Sequence, residues 1–392
     1  MAETNAATSD DVIAILRGVM DPELNDNIVD LGMVRGAEIA GTEAIITIAL
    51  TTAGCPLRAT IKRDVQHRVE TLPTIDKVSL VWDELTAEEK ARTMERARAK
   101  AREDATPTRV PTNTRVLAIA SGKGGVGKSS VTVNLAAGLA ARGHSVGVLD
   151  ADIWGFSVPR MLGVSDRLEA ERDQQSGRPV IRPETTQIGG NTLQVVSMGL
   201  LVDSEESALM WRGLMLAKAV EQFLNDVAWG PMDYLLIDMP PGTGDVQMAL
   251  ARLLPQAEMV VVTTPARGAQ KVATRVADMA RRSHMPVIGV IENMGAFVTP
   301  NGETYALFGE GGGRRLADEI GAPLIGSIPL EAAVSSGGDA GSPVAIDGQG
   351  PAAVAIRDIV EQLATEIAPP NDLGGCSARM MAAVEAALDA LD

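Results

Sequence analysis

The residues of this 392-residue chain whose types and spacing point most directly to chemistry are consecutive: Gly122-Lys123-Gly124-Gly125-Val126-Gly127-Lys128-Ser129. They satisfy G-x-x-x-x-G-K-[ST], a loop whose glycines let successive backbone N–H groups turn toward phosphate oxygens. An apolar run, Val116–Ala120, feeds the loop, and a helical pattern leaves it at Ser130. A helix N-terminus there adds the positive end of its dipole to the anion cradle. Lys128 is expected to reach the β- and γ-phosphates and the Ser129 hydroxyl to ligate Mg²⁺. The expected nucleotide-binding set is Gly122, Gly124, Gly125, Val126, Gly127, Lys128, Ser129 and Ser130, with Lys128 also catalytic. Lys123 is an extra cation directly after the first glycine. It reads either as a solvated loop lysine or as a second charge aimed at an anion.

Two acidic positions follow in the order such chemistry needs. Asp150-Ala151-Asp152 closes the run Val146-Gly147-Val148-Leu149, at a sheet edge where ligands bind in open α/β folds. Asp238 closes Tyr234-Leu235-Leu236-Ile237 and precedes Met239-Pro240-Pro241-Gly242-Thr243-Gly244-Asp245. Four apolar residues and an aspartate form the pattern that holds a water on Mg²⁺, and the Pro/Gly-rich stretch after it suits a loop that senses the γ-phosphate. Either aspartate alone also fits a helix N-cap.

The elements that position these residues repeat. Val116–Ala120, Ser145–Leu149, Leu193–Val196, Tyr234–Ile237, Met259–Thr263 and Val287–Ile291 are mainly apolar and of strand length, with helical patterns such as Ser130–Arg142 and Gly268–Arg282 between several of them. Buried strands alternating with helices predict an α/β domain with a doubly wound, mostly parallel sheet over 114–368. Before it, 1–85 reads as a small α/β unit: a helix through Val12, Ile13, Ile15, Leu16, Val19 and Met20, a strand Ala44–Leu50, a helix Ala59–Leu72 and a strand Lys77–Trp82. A charged helix and a Thr/Pro stretch, 86–113, read as the link between the two. A tail helix is expected within 369–392.

Composition narrows the partners. Hydrophobic residues make up 45% of the chain and aromatics 3%, so the core is expected to be aliphatic. The net charge of −16 repels phosphate backbones and anionic lipid, which argues against nucleic acid and membrane as partners. No apolar run reaches the roughly 18 residues of a membrane span, and the polar, acidic start carries no export pattern; the cytoplasm is the expected compartment. The two cysteines, Cys55 and Cys376, are too few for a disulfide framework. His67, His144 and His284 lack metal-ligand spacing and read as structural.

Lys123 with the rest of its loop, K-G-G-x-G-K-[ST], resembles the deviant P-loop of the MinD/ParA/Get-type ATPases. The longer motifs, Ser121–Ser129, Asp150-Ala-Asp-Ile-Trp-Gly155, Trp211-Arg-Gly213 and Asp238–Asp245, are similar to those of the Mrp/ApbC iron–sulfur cluster carrier ATPases over about 114–367. Asp21-Pro-Glu23, Asp30-Leu-Gly-Met33 and Thr51-Thr-Ala-Gly-Cys-Pro56 resemble the PaaD/SufT-like module fused to many of them. The resemblance implies an ATP-hydrolysing homodimer that delivers clusters, among them [4Fe-4S], to apo client proteins or works with cluster-assembly proteins. It implies that Lys123 crosses to the partner's nucleotide, that Asp152 orients or deprotonates the attacking water, and that Asn293 recognises adenine. Asn293 also fits a plain turn former.

One departure stands out. The family commonly holds its cluster through a C-x-x-C after the Glu-Asn-Met segment, but Gly295 to Gly309 contains no cysteine. A cluster typically needs four thiolates, and two copies of Cys55 and Cys376 would supply four. Cys55, in its Gly-Cys-Pro turn, is the candidate iron–sulfur ligand; its alternative is a small buried residue. Two other functions stay open: an ATP-switched adaptor without a cluster of its own, and a positioning ATPase like ParA or MinD.

Overall fold

A computed structural model describes residues 7–21, 24, 26–50, 58–104, 108–152, 155–172, 179–201, 213–299 and 301–371. The chain divides into two compact units, Met1–Ala105 and Thr106–Asp392.

In the first unit, helix α1 (Ser9–Leu16) starts at a capping box: the Thr8 hydroxyl accepts from the Asp11 N–H and the Asp11 carboxylate accepts from the Thr8 N–H. It ends at Leu16 rather than running to Met20 as its periodicity predicts. A Cβ at Gly18 would fall 2.3 Å from an Arg68 guanidinium nitrogen, and the chain turns there into a short strand, Met20–Asp21. Strand β1 (Val34–Ala40) pairs antiparallel with β2 (Glu43–Leu50), and β2 pairs parallel with β3 (Lys77–Glu84) across helix α2 (Arg58–Val69). Val12, Leu16, Ile46, Ile48, Ile61 and Val65 form the centre of this unit's core.

Helix α3 (Ala87–Asp104) was expected to belong to the link between domains, but it packs on the first unit. Ala97 is buried in that core, the Thr93 hydroxyl donates to the Leu31 carbonyl at 2.9 Å, and Arg96 donates to the Asp30 carbonyl. Its charged composition reflects its outer face, where Arg35 meets Glu89 and holds that carboxyl down at about 2.

The second unit is built on an eight-stranded sheet. Its strands are β4 (Arg115–Ser121), β5 (Val146–Asp150), β6 (Glu184–Ile188), β7 (Asn191–Ser197), β8 (Tyr234–Asp238), β9 (Glu258–Thr263), β10 (Val287–Gly295) and β11 (Leu324–Pro329), in the spatial order β6-β7-β5-β8-β4-β9-β10-β11. All neighbouring pairs are parallel except β6–β7. The central strands β4, β5, β8 and β9 are buried along almost their whole length, because helices cover both faces of a parallel sheet. Helix α4 (Lys128–Ala141) is buried over most of its surface. Its small residues allow this: Gly138 faces Val360 of the C-terminal helix α5 (Pro351–Gln362) so closely that an added Cβ would sit 2.7 Å from the valine.

The doubly wound α/β expectation holds for this unit. From β4 the chain proceeds toward one edge of the sheet, to β5, and from β8 toward the other, to β9, which opens a crevice beyond the carboxyl ends of the central strands.

Candidate nucleotide site

The loop after β4 lies in that crevice. Gly125 and Gly127 both have φ of +78°, a region that L side chains rarely adopt, so these two positions require glycine. Gly122 is needed for a different reason: a Cβ there would lie 2.4 Å from the backbone of Val272 and Ala273, in the helix Arg267–Arg282. Gly124 and Gly125 are exposed, with nothing within 4 Å of an added Cβ, so the loop's outer rim is open to a ligand. Gly127 is the N-cap of α4, and Ser129 and Ser130 stand half-buried in its first turn.

Strand register brings the acidic residues together. Asp238 of β8 lies directly opposite Asp150 of β5, which in turn faces Ser197 of β7. Lys128, 5% exposed, places its ammonium 2.7 Å from Asp238 Oδ1 and 3.4 Å from Asp152 Oδ2. The Ser129 hydroxyl donates to Asp238 Oδ2 at 2.6 Å. Thr132, one turn further along α4, offers its proton to Asp238 Oδ1 at 2.9 Å and to the Lys128 carbonyl at 3.0 Å.

Asp150 is fully buried, and burial, with Asp238 beside it, pushes its carboxyl up to about 7. It accepts from the N–H groups of Asp152, Ser157 and Val158 and from the Ser197 hydroxyl, all at 3.2–3.3 Å, and so fixes the turn that carries Asp152. Burial also raises the Asp152 carboxyl, against the pull of Lys128. Two carboxylates thus pair with one ammonium, with the buried Asp150 beside them. That excess of negative charge and the adjacent Ser129 and Asp238 oxygens fit a Mg²⁺ ion. Among the described residues no cluster of three or more His, Cys, Asp or Glu could hold a metal by itself. Phosphate and water oxygens would therefore complete the magnesium shell.

The loop after Asp238 is held as well. The Gln247 carboxamide, almost fully buried, donates to the carbonyls of Pro240 and Gly242 and accepts from the Gly244 N–H. Gly242 N–H donates to the Ser121 carbonyl, which ties this loop to the phosphate-binding one. Asp150, Thr132 and Gln247 were not among the expected site residues. A signal existed for the last: a residue three positions after an N-cap and able to reach back to it is the capping-box pattern, here Gly244 and Gln247.

The two remaining site expectations fare differently. Lys123 is exposed, and its ammonium has no ion pair among the described residues. Asn293 is buried, and its carboxamide nitrogen donates to the Val126 carbonyl at 2.9 Å. That hydrogen bond braces the phosphate-binding loop. Cys55 and Cys376 lie outside the described residues, as do Trp211 and Arg212. Of the histidines, His144 packs edge-on against Tyr234 at 5.2 Å, in keeping with a structural role.

Comparison with known proteins shows the family. Residues 112–364 match the family described as NUBPL iron-transfer P-loop NTPase. The chain belongs to that family. Residues 9–80 separately match a family described as iron-sulfur cluster assembly protein. A protein of Mycobacterium tuberculosis named iron-sulfur cluster carrier protein is 43% identical over 336 residues, 84% of this chain and 85% of its own length. A Synechocystis protein of the same name is 39% identical over 363 residues, 92% of this chain and 98% of its own. Among solved structures, a nucleotide-binding protein of Archaeoglobus fulgidus in complex with ADP is 35% identical, with a TM-score of 0.48, over 58% of this chain and 86% of that one. No helix among the described residues is long and apolar enough to cross a membrane.

Proposed function

We propose that this chain is an iron–sulfur cluster carrier that binds and hydrolyses ATP and delivers clusters to apo client proteins, working as a homodimer. The observation that carries the reading is the joining, in one chain, of a P-loop NTPase of the iron-transfer family with a second segment matching a cluster-assembly family.

The roles follow from the geometry. Lys128 would neutralise the β- and γ-phosphates, with Asp238 and Asp152 as its partners in the nucleotide-free protein. Ser129 and Asp238 would hold Mg²⁺, Ser129 directly and Asp238 through water. The metal, when bound, withdraws charge from the phosphates. Asp152, on a turn fixed by Asp150, orients or deprotonates the attacking water. Lys123, exposed on the same loop, stabilises the departing γ-phosphate of a partner copy. Asn293 is assigned to the loop rather than to adenine.

The cluster is cargo. With no cysteine between 295 and 309, Cys55 is the candidate ligand. Anaerobic reconstitution with iron and sulfide tests this, with bound iron, bound sulfide and visible absorption measured for the wild type and for Cys55→Ser. A stoichiometric cluster that is lost in the variant supports a carrier with relocated ligands. No cluster on the wild type would overturn that reading in favour of an ATP-switched adaptor.

A further inference from the structure

One helix of this acidic chain is strongly basic. Arg267–Arg282 carries Arg267, Lys271, Arg275, Arg281 and Arg282 against a single carboxylate, Asp278, a net of +4 in a chain of −16. Two of these cations are engaged within the fold: Arg282 pairs with Asp278 at 2.9 Å, and Arg281 donates to the Ile320 carbonyl. The other three are exposed, and none has an ion pair among the described residues. Their spacing, i, i+4 and i+8, sets them in one row along the helix, neighbours about 5–6 Å apart at Cβ. Like charges so placed destabilise a helix, an effect that an incoming anion reverses.

The next helix, Gly312–Ile320, widens the row. Its start lies against the start of the first: an added Cβ at Gly312 would sit 2.6 Å from the Pro265 carbonyl and 2.2 Å from the Gln270 carboxamide nitrogen. Its end lies further along, where Thr274 donates to Glu319 at 3.4 Å and Arg281 reaches Ile320. The two helices therefore run side by side in one direction, which places Arg314 and Arg315 at the Arg267–Lys271 end. Both arginines are exposed and likewise without an ion pair among the described residues. The opposite face of the basic helix is fixed. Ala269, Ala273, Val276 and Ala277 are buried, and the backbone at Val272 and Ala273 leaves no room for a Cβ on Gly122 of the phosphate-binding loop.

Spacing and charge point to the occupant. Carboxylates at i, i+4 and i+8 of a partner helix repeat at the interval of the row, and guanidinium groups hold carboxylates with paired hydrogen bonds. A nucleic acid or an anionic bilayer fits less well. Its charge runs on beyond the row, over a remainder of the chain more negative than −16. A short acidic face meets the cations and stops.

We infer that Arg267, Lys271 and Arg275, flanked by Arg314 and Arg315, form the docking surface for a carboxylate-bearing helix of an apo client protein. That the partner is a client rests on the carrier reading above.

Fluorescence anisotropy on the full chain, free of any cluster, tests it with a labelled helical peptide bearing glutamates at i, i+4 and i+8, and with its glutamine counterpart. The variant Arg267→Glu/Lys271→Glu/Arg275→Glu stands beside a control, Lys62→Glu/Arg63→Glu/Lys218→Glu, that reverses as many exposed cations elsewhere. We expect the wild type and the control to bind the glutamate peptide alike, more weakly as salt is raised, and the glutamine peptide about 10-fold more weakly. The row variant should bind the glutamate peptide ~30-fold more weakly, and Arg314→Gln/Arg315→Gln by a smaller factor, with ATP turnover and circular dichroism unchanged. A row variant that binds normally, or a control that loses as much, overturns the inference. A wild type that ignores the peptide overturns it too, and uptake of a DNA duplex or phosphatidylserine vesicles in its place would give the row to nucleic acid or membrane. Docking that holds in a protein with no transferable cluster would keep the surface and remove the carrier reading.

Discussion

The two lysines of the phosphate-binding loop occupy opposite environments five residues apart. Lys128 is buried against Asp238 and Asp152 and already has its counter-charges inside the chain. Lys123 is exposed and has no ion pair among the described residues. An ammonium held by buried carboxylates is a finished part of the apo-protein, and removing it strands those carboxylates in a low-dielectric site. A lysine that no described residue pairs with has its function in what arrives.

This contrast can be broken by substitution. Lys128→Ala should give the largest effect: ATP turnover lost and apo-protein stability lowered by about 3–5 kcal/mol in chemical denaturation, because Asp238 loses its buried partner. Lys123→Ala should lower kcat by about 10²–10³-fold while leaving nucleotide affinity and stability near the wild type, as expected of a charge used in the transition state alone. Normal turnover in Lys123→Ala would make it a solvated loop lysine.

The floor of the loop gives two smaller effects. Asn293→Ala should weaken ATP and GTP binding by the same factor, about 5–10-fold, since a lost hydrogen bond to Val126 is worth roughly 1 kcal/mol whatever the base. A loss confined to ATP would restore adenine recognition to this residue. Thr132→Val removes one donor from Asp238, and about 1 kcal/mol of stability should go with it, along with some Mg²⁺ affinity measured by titration.

The central sheet and the loop were legible in the sequence for a physical reason. Parallel strands buried on both faces read as unbroken apolar runs, and β4, β5, β8 and β9 match those runs to within a residue or two. The edges were not legible. β6, Glu-Thr-Thr-Gln-Ile, alternates between half-buried and exposed positions up to the buried Ile188 and pairs on one side alone, and β11 contains Gly326 and Ser327 in its middle. β1 was hidden in the same way by Gly36 and by alanines that carry little hydrophobic signal.

In the site, the loop residues and Asp238 were readable because consecutive residues specify a phosphate cradle. Asp150, Thr132 and Gln247 act through neighbours that only the folded sheet supplies. Asn293 was singled out as a position, but the Val126 carbonyl it binds is distant in sequence, so its contact could not be read there.

The most direct test of the account is cluster transfer. Reconstituted wild-type protein would be mixed anaerobically with an apo-acceptor of the four-iron class, with and without Mg-ATP, beside Lys128→Ala. The account predicts transfer whose rate changes with nucleotide in the wild type and not in the variant. Transfer that is indifferent to nucleotide in both, or no transferable cluster on the wild type, would contradict it.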